Sequence, residues 1–220
     1  MTSTKRALCT KCLRPQRTCI CLWITPTENE VEVLFLQHPL EIDNAKGSAR
    51  LLHLSLPHSQ IKTGEVFAED ELGELLYAPF RHQDGKEQTN KIIQPLLLYP
   101  DTAEDGNIVI PPVLALAPDN SAFQYRLIVL DGTWRKSRKM LYLNPLLQQL
   151  PSLPLSDPPA SHYRIRKAHK ADQLSTYEAT CYALMQLENE VEKYLPLLAA
   201  FDGFVEQIGS YDPSSKKSEI

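Results

Sequence analysis

The chain has 220 residues, 43% hydrophobic and 23% charged, which is the composition of one globular domain with or without a small appendage. No apolar stretch approaches the roughly 18 residues of a membrane span, and no apolar segment of a secretory signal follows the first residues, so we expect a cytosolic protein. The net charge is −4, yet nine basic residues outnumber two acidic ones between Arg126 and Lys170, which predicts a basic surface suited to nucleic acid.

Four of the five cysteines lie close together near the start of the chain, in the pattern C-x2-C-x6-C-x-C. They are Cys9, Cys12, Cys19 and Cys21. Four thiolates at this spacing predict a zinc ion rather than disulfides in a cytosolic chain, with free thiols or an iron–sulfur cluster as the alternatives. Because four cysteines complete the coordination of the ion, we expect a structural or RNA-docking role. Residues 1–26 are therefore predicted to form a separate zinc-binding module.

The rest of the chain, residues 27–208, alternates between predicted strands and helices. Strands are predicted at residues 31–36, 92–99, 126–130 and 162–166, and helices at residues 44–56, 69–77 and 134–143. Residues 101–121 are predicted to be mostly loop, and the polar residues 209–220 a flexible tail. This alternation predicts an α/β fold with a largely parallel sheet.

A further helix is predicted behind Ser175-Thr176-Tyr177-Glu178. Ser175 and Glu178 fit a capping box, in which each side chain satisfies a backbone donor of the other residue. A helical stripe follows, consisting of Thr180, Leu184, Leu187, Val191 and Leu195. Cys181 lies in this helix and is predicted to be a buried, inert thiol.

The segment Asp131-Gly132-Thr133-Trp134 directly follows the apolar run at residues 127–130. In open α/β sheets the carboxyl end of a strand is where ligands bind. Asp131 is predicted to be catalytic, or alternatively the cap of the next helix, a role that Thr133 could take instead. Gly132 predicts close backbone approach or a positive φ. Trp134 either stacks on a base or anchors the core.

These motifs resemble the DTW-domain family when they are taken together and in order. The resemblance is carried by residues 131–134 and the basic helix behind them, residues 161–167, residues 174–179, residues 37–39 and the cysteine cluster. Their order and spacing agree from about residue 9 to about residue 190. Each motif alone is weak, whereas the ordered set is specific.

The resemblance implies a SPOUT-like fold with a C-terminal trefoil knot. It also implies a tRNA-uridine aminocarboxypropyltransferase, which transfers the 3-amino-3-carboxypropyl group of S-adenosylmethionine to N3 of a uridine in tRNA and releases methylthioadenosine. S-adenosylmethionine is then the co-substrate, tRNA the partner and zinc a structural ion, with the protein a monomer or homodimer. The alternatives are a SPOUT-type RNA methyltransferase and a non-catalytic zinc-containing RNA-binding protein, and a hydrolase with Asp131 as nucleophile fits less well.

Under this interpretation Asp131 is the general base that removes the N3 proton of uridine. The residues expected to bind the co-substrate are His38, Pro39, Tyr99, Leu130, Gly132, Thr133, Trp134, Ser175, Thr176 and Glu178. The residues expected to bind RNA are Arg135, Arg138, Lys139, Arg164, Arg166, Lys167 and Lys170, unless one of the arginines binds the carboxylate of the co-substrate. His38 is alternatively a structural histidine, and Ser175 and Glu178 are alternatively a helix cap alone.

Overall fold

The computed structural model describes residues 7–44, 46–80, 91–100, 122–156 and 174–211, which contain a five-stranded parallel sheet. The strands are β1 (Glu32–Gln37), β2 (Ser59–Thr63), β3 (Ile92–Leu98), β4 (Phe123–Asp131) and β5 (Ser152–Leu153). The helices are α1 (Ala49–Ser55), α2 (Glu69–Tyr77), α3 (Trp134–Leu143), α4 (Pro145–Gln148), α5 (Thr176–Glu188) and α6 (Val191–Gly209). The strand order is β2-β1-β4-β3-β5 and every pair is parallel, which confirms the predicted α/β fold.

The two central strands, β1 and β4, are buried on both faces. Val33 and Phe35 pack with Leu127 and Val129 in a core that α1, α5 and α6 cover, and we call this the α5 face of the sheet. The alternate residues of the same two strands point to the opposite face, and they include Leu34 and Ile128, which are partners in register. They pack in a second core under α2, α3 and α4, and we call this the α3 face of the sheet. Strands with two buried faces have continuous apolar sequences, which is why these strands could be predicted.

Helix α5 lies antiparallel to the strands. Glu188 at its C-terminal end accepts hydrogen bonds from the backbone N–H groups of Glu30 and Val31, just before β1, at 2.8 and 2.9 Å. The N-terminus of α5 therefore lies at the carboxyl edge of the sheet. Helix α6 returns in the opposite direction, and the Tyr177 hydroxyl donates to the Leu197 carbonyl at 3.1 Å where the two helices meet.

Residues 7–26, which we call the cysteine module, pack against the C-terminal half of α6. The Trp23 indole N–H donates to Gln207 Oε1, and Gln207 Nε2 donates to the Cys19 carbonyl at 3.1 Å. The Trp23 ring lies on Gly203, where a Cβ atom would fall 2.1 Å from the ring. The module thus shares the core of the α5 face. Residues 209–211 of the predicted tail continue from α6, and the Tyr211 hydroxyl donates to the Arg17 carbonyl at 2.9 Å.

The apolar stripe behind the capping box is divided between two helices, so the prediction of one continuous helix is wrong. Helix α5 ends at Glu188, and Asn189 has a left-handed φ of 53° that stops it. Beyond that turn Val191 and Leu195 are 56% and 43% exposed, so they do not extend the buried stripe. Strands β2 and β5, the short helix α4 and the separate helix α6 were not predicted.

Several predictions fall on residues that the structure does not describe. These are the loop at 101–121, the strand at 162–166, the tail beyond residue 211, and the C-terminal knot to the extent that it involves residues 157–173. Among the described residues, no helix combines the length and apolar character needed to cross a membrane.

Candidate active site at the carboxyl edge of the sheet

The carboxyl ends of β1 and β4 form the switch point of the sheet. From β1 the chain continues to β2 on one side, whereas from β4 it continues to β5 on the other side. Helices therefore leave these two strand ends in opposite directions, which opens a crevice of the kind that binds ligands in open α/β sheets. Gln37 and Asp131 are the last residues of the two strands and are partners in register.

Asp131 is held in this crevice by a side chain from the neighbouring strand. Gln37 Nε2 donates to Asp131 Oδ2 at 2.9 Å, and the two residues are 8% and 4% exposed. Both belong to the odd-numbered residues that face α5. The N-cap position of α3 is held by Thr133, so the alternative of Asp131 as that cap is wrong. The sequence named Gln37 only as part of a strand-end motif and gave no sign of this hydrogen bond.

The N-terminus of α5 lies at the same edge and on the same face as Asp131. The capping box is present: Ser175 Oγ accepts the Glu178 backbone N–H at 3.1 Å, and Glu178 Oε2 accepts the Ser175 backbone N–H at 2.9 Å. Both side chains are buried, whereas Thr176 is half-buried. The cap that the sequence predicted is therefore real, and the backbone donors of the first turn remain suited to an anion.

An aromatic pair lies on the α3 face of the same edge. The rings of Tyr99 and Trp134 stack with centroids 5.2 Å apart and planes 21° from parallel. Tyr99 is buried, whereas Trp134 is 42% exposed, so Trp134 is not a core anchor. The pair presents an aromatic surface at the first turn of α3.

His38 uses both ring nitrogens within the protein. Nδ1 accepts the Leu40 backbone N–H at 3.1 Å, which assigns the proton to Nε2, and Nε2 donates to Glu65 Oε1 at 2.9 Å. The His38 backbone N–H also donates to the Asp131 carbonyl at 3.0 Å. These contacts favour the structural interpretation of His38, and Pro39 follows it as an exposed residue of a 3-10 turn.

Two carboxylates from loops at this edge bind lysines of α3. Lys139 Nζ lies 2.9 Å from Glu65 Oε2, and Lys136 Nζ lies 2.8 Å from Glu41 Oε1. The hydrogen bond from Lys139, followed by the one from His38, lowers the pKa of the Glu65 carboxyl group. The sequence gave no signal for Glu65, because its partners lie far away along the chain.

Fewer basic residues are available on the predicted basic surface than the count of basic residues in the sequence suggests. Arg126 is fully buried: its Nε and Nη2 both donate to Glu32 Oε2, at 2.8 and 2.5 Å, and burial lowers its pKa. Its Nη1 and Nη2 also donate to the backbone carbonyls of Leu75 and Ala78. Lys139 is paired with Glu65, as described above. Arg135 and Arg138 are exposed on α3. The other residues predicted to bind RNA lie outside the described part of the chain, and they are Arg164, Arg166, Lys167 and Lys170.

Gly132 connects β4 to α3 at a point where the backbone is closely packed. Its φ lies outside the left-handed region, and a Cβ atom would lie 3.1 Å from the Cβ of Lys136 and 3.7 Å from the Cβ of His38. Of the two reasons proposed for this glycine, close approach is the one that the structure supports. Leu130, directly before the motif, is buried in the core of the α3 face.

The four cysteines of the module come together although they are spread over thirteen residues. Their sulfur atoms all lie within 4.8 Å of one another, with Cys9 and Cys21 at 3.5 Å and Cys12 and Cys19 at 3.7 Å. A zinc ion with Zn–S bonds of about 2.3 Å needs sulfurs about 3.8 Å apart, so the cluster fits a tetrahedral ion. Backbone N–H groups of Cys12 and Lys11 lower the pKa of Cys9 to about 6, whereas burial and the neighbouring thiols raise the pKa of Cys21 to about 12. The case for a metal site therefore rests on the geometry of the four sulfur atoms.

The chain is thus an α/β protein with a parallel sheet, a buried carboxylate and an aromatic pair at its switch point, and a cluster of four cysteines that could hold a metal ion. The chain belongs to the DTW domain family, which matches residues 6–209. This confirms the resemblance carried by the sequence motifs.

Relatives with assigned names share most of the chain. It is 28% identical over 220 residues to tRNA-uridine aminocarboxypropyltransferase 2 of Macaca fascicularis, covering 97% of this chain and 68% of that protein. The protein of the same name from Mus musculus is 29% identical with the same coverage. The one from Drosophila melanogaster is 29% identical over 196 residues, covering 86% of this chain and 69% of the relative. No solved structure matches the chain.

Proposed function

We propose that this protein transfers the 3-amino-3-carboxypropyl group of S-adenosylmethionine to N3 of a uridine in tRNA. The observation that carries the proposal is the buried Asp131 carboxylate, held by Gln37 at the switch point of a sheet in a DTW domain chain. The names of the relatives support uridine in tRNA as the target and the aminocarboxypropyl group as what is transferred.

The reaction is a displacement at carbon. The lone pair of N3 forms a bond to the γ-carbon of the methionyl chain, the bond between that carbon and the sulfonium sulfur breaks, and its electron pair stays on sulfur in the released methylthioadenosine. The N3 proton must leave in the same process. Of the three carbons on the sulfonium, the one that faces N3 reacts, so the protein selects the product by orientation.

Asp131 accepts the N3 proton in this proposal. A carboxylate within hydrogen-bond reach of N3 contributes about 10²- to 10⁴-fold as a general base. Gln37 holds one carboxylate oxygen through its amide N–H, which fixes the orientation of the group. Because Asp131 lies in a strand and Gln37 in its neighbour, the base is supported by the sheet and not by a loop.

The two faces of the carboxyl edge serve different parts of the substrates. On the α5 face, the backbone donors at the start of α5, beside Thr176, suit the carboxylate of the methionyl chain. On the α3 face, the half-exposed ring of Trp134, supported by Tyr99, suits stacking on the uracil or the adenine. Arg135 and Arg138, on the exposed side of α3, suit phosphates of the RNA.

The remaining parts of the proposal rest on the family. They are a SPOUT-like topology with a C-terminal knot, zinc as the ion of the cysteine cluster, a location in the cytoplasm, and an RNA-binding role for the basic residues at 164–170. The cysteine cluster would hold zinc through all four of its thiolates, so it supplies structure and not catalysis.

The test is mass spectrometry of the products after incubation of the protein with S-adenosylmethionine and unmodified tRNA. We expect methylthioadenosine only when tRNA is present, together with an aminocarboxypropylated uridine in the RNA digest. S-adenosylhomocysteine and a methylated uridine would instead identify a SPOUT-type methyltransferase. If neither product forms with tRNAs from several sources, the result would favour a non-catalytic RNA-binding protein.

Asp131→Asn separates chemistry from binding, because the amide keeps the shape of the carboxylate but does not accept the proton. We expect about 10²- to 10⁴-fold less methylthioadenosine per unit time in a single turnover, with tRNA affinity close to that of the wild type. Asp202→Asn, at an exposed residue of α6, is the control and should react at the wild-type rate.

A further inference from the structure

The cysteine module carries a cluster of basic residues in addition to the one between Arg126 and Lys170. The first 27 residues of the chain contain five basic residues and no acidic one. In the described part of the chain these are Lys11 and Arg17, which are exposed, and Arg14, which is half-buried. None of these residues belongs to the basic set that the sequence pattern around the Asp131 motif indicated.

Two hydrogen bonds join the module to the segment that precedes and begins α1. Arg14 Nη2 donates to the Gly47 carbonyl at 2.6 Å, and Arg50 Nη2 donates to the Lys11 carbonyl at 3.1 Å. The basic residues of the two segments therefore share one surface. We call it the module surface, and it consists of the exposed Lys11 and Arg17 and the half-buried Arg14, Lys46 and Arg50.

A groove of about 280 Å³ lies within this surface, between the module and the end of α6. Its lining is mostly apolar: Ile20, Ile208 and Tyr211 contribute to it together with Thr18, Gln207, Arg14 and Lys46. No acidic side chain of the described residues is among them. The exposed carboxylates nearby are Asp43, before α1, and Asp202 and Glu206 in the C-terminal half of α6, whereas Glu192 lies at the far end of that helix.

The module surface lies beside the candidate active site. Eleven residues, including a 3-10 turn, separate the end of β1 from the start of α1. Because α1 leads back to β2, which is parallel to β1, its first residues and the attached module lie towards the carboxyl edge. The module packs on α6, which covers the α5 face, whereas Arg135 and Arg138 extend from α3 on the opposite face. Two basic surfaces thus flank the strand ends that hold Asp131.

We propose that the module surface binds the phosphate backbone of the tRNA whose uridine reaches Asp131. The identity of the ligand as tRNA rests on the proposed function, whereas the ability of the surface to bind a polyanion is inferred from its own positive charge. A cluster of cations with no acidic residue in the first 27 positions suits a polyanion, and its position at the edge allows the RNA to contact both faces of the sheet at once.

The test is fluorescence anisotropy with an unmodified tRNA transcript, without S-adenosylmethionine, over a range of salt concentrations. We expect Lys11→Gln combined with Arg17→Gln to weaken binding about tenfold near 0.1 M salt. We also expect the slope of log affinity against log salt to fall by about 1.4 to 1.8, because two phosphate contacts contribute roughly 0.7 to 0.9 each. The control is Lys91→Gln, which removes an exposed lysine directly before β3, at the amino edge of the sheet.

Unchanged affinity and salt slope in the double variant would overturn the proposal, as would an equal loss in the Lys91 control. Zinc content and melting temperature of each variant show that the module is intact, so a loss of binding is assigned to charge. The titration measures binding without catalysis. A wild-type protein that binds tRNA but releases no methylthioadenosine would refute the proposed function, and the titration of the variants would still test whether the module surface binds tRNA.

Discussion

Gln37 and Asp131, 94 residues apart in the chain, are partners in register on adjacent parallel strands, and the amide of the first donates to the carboxylate of the second at 2.9 Å. The pair terminates both strands at the switch point of the sheet. A carboxylate held in this way is fixed in direction before any substrate binds. Preorganisation of that kind is what a general base needs.

Gln37→Leu tests the role of this hydrogen bond. The variant keeps the volume of the side chain but removes the donor, so we expect turnover to fall about 10- to 100-fold while the KM for S-adenosylmethionine changes little. Loss of a donor to a buried carboxylate also costs about 1–3 kcal/mol of folding free energy, which urea denaturation measures. Gln60→Leu, in the middle of β2, is the matched control. A Gln37→Leu enzyme with wild-type turnover would show that Gln37 does not position Asp131.

Trp134 is expected to act through its exposed ring. Trp134→Ala removes a stacking surface worth about 1–3 kcal/mol, so we expect the KM for tRNA or for S-adenosylmethionine to rise about 5- to 150-fold. Trp134→Phe keeps an aromatic ring against Tyr99 and should stay within a few-fold of the wild type. Steady-state kinetics with each substrate varied in turn identifies which one the ring contacts.

Tyr142→Ala is the control for Trp134, because Tyr142 is an aromatic residue of the same helix that is 62% exposed and lies at its far end. It should leave both KM values unchanged. If Trp134→Ala and the wild type have equal kinetics, the aromatic pair does not contact either substrate.

Glu65 makes stability depend on pH. Lys139 and His38 hold its folded-state pKa below the ordinary value of 4.5, so the carboxylate stabilises the folded protein at neutral pH. That contribution is lost as the pH falls below 4.5 and through the folded pKa. We therefore expect Glu65→Gln to be less stable than the wild type near pH 7, with the difference shrinking as the pH falls below 4.5 and vanishing below the folded pKa.

Urea denaturation at several pH values measures this difference. The control is Glu74→Gln, which changes an exposed carboxylate of α2 and should show the stability of the wild type throughout. A Glu65→Gln variant whose stability differs from the wild type by the same amount at every pH would contradict the assignment.

The cysteine cluster predicts one tightly bound metal ion. We expect the purified protein to contain one equivalent of zinc by elemental mass spectrometry, and Cys12→Ser, which alters a buried ligand, to lose it and to melt at a lower temperature. Chelation should lower the melting temperature of the wild type in the same way.

Cys181→Ala is the matched control for this experiment. Cys181 is the one cysteine of the five that lies apart from the cluster, buried in α5, where burial raises the pKa of its thiol. The variant should retain the zinc ion. Full zinc content in Cys12→Ser would show that the cluster is not the metal site.

The parts of this fold that could be predicted depend on local or one-dimensional signals. Strands buried on both faces produce apolar runs, and β1 and β4 were recognised by them. The capping box of Ser175 and Glu178 is complete within four residues, so the start of α5 was also predicted. The polar strand β2 carries no such run, and β5 has two residues, so both were missed.

The candidate site was predicted in part for the same reason. The Asp131 motif is contiguous and directly follows a strand. Its partner Gln37 lies on another strand, and their hydrogen bond depends on a register that no short sequence pattern reveals. The same register brings Glu32 to Arg126, which buries an arginine that the sequence analysis had counted among the basic residues of that segment.

The contacts of the cysteine module with α6 affect how the protein forms during synthesis. Cys19 and Gln207 are 188 residues apart, and Arg17 and Tyr211 are 194 apart. The cysteine loop can close around an ion soon after it leaves the ribosome, but its apolar underside stays uncovered until α6 has been made. Trp23, which lies on Gly203 and donates to Gln207, therefore lacks these contacts in a nascent chain until the C-terminal half of α6 has been made.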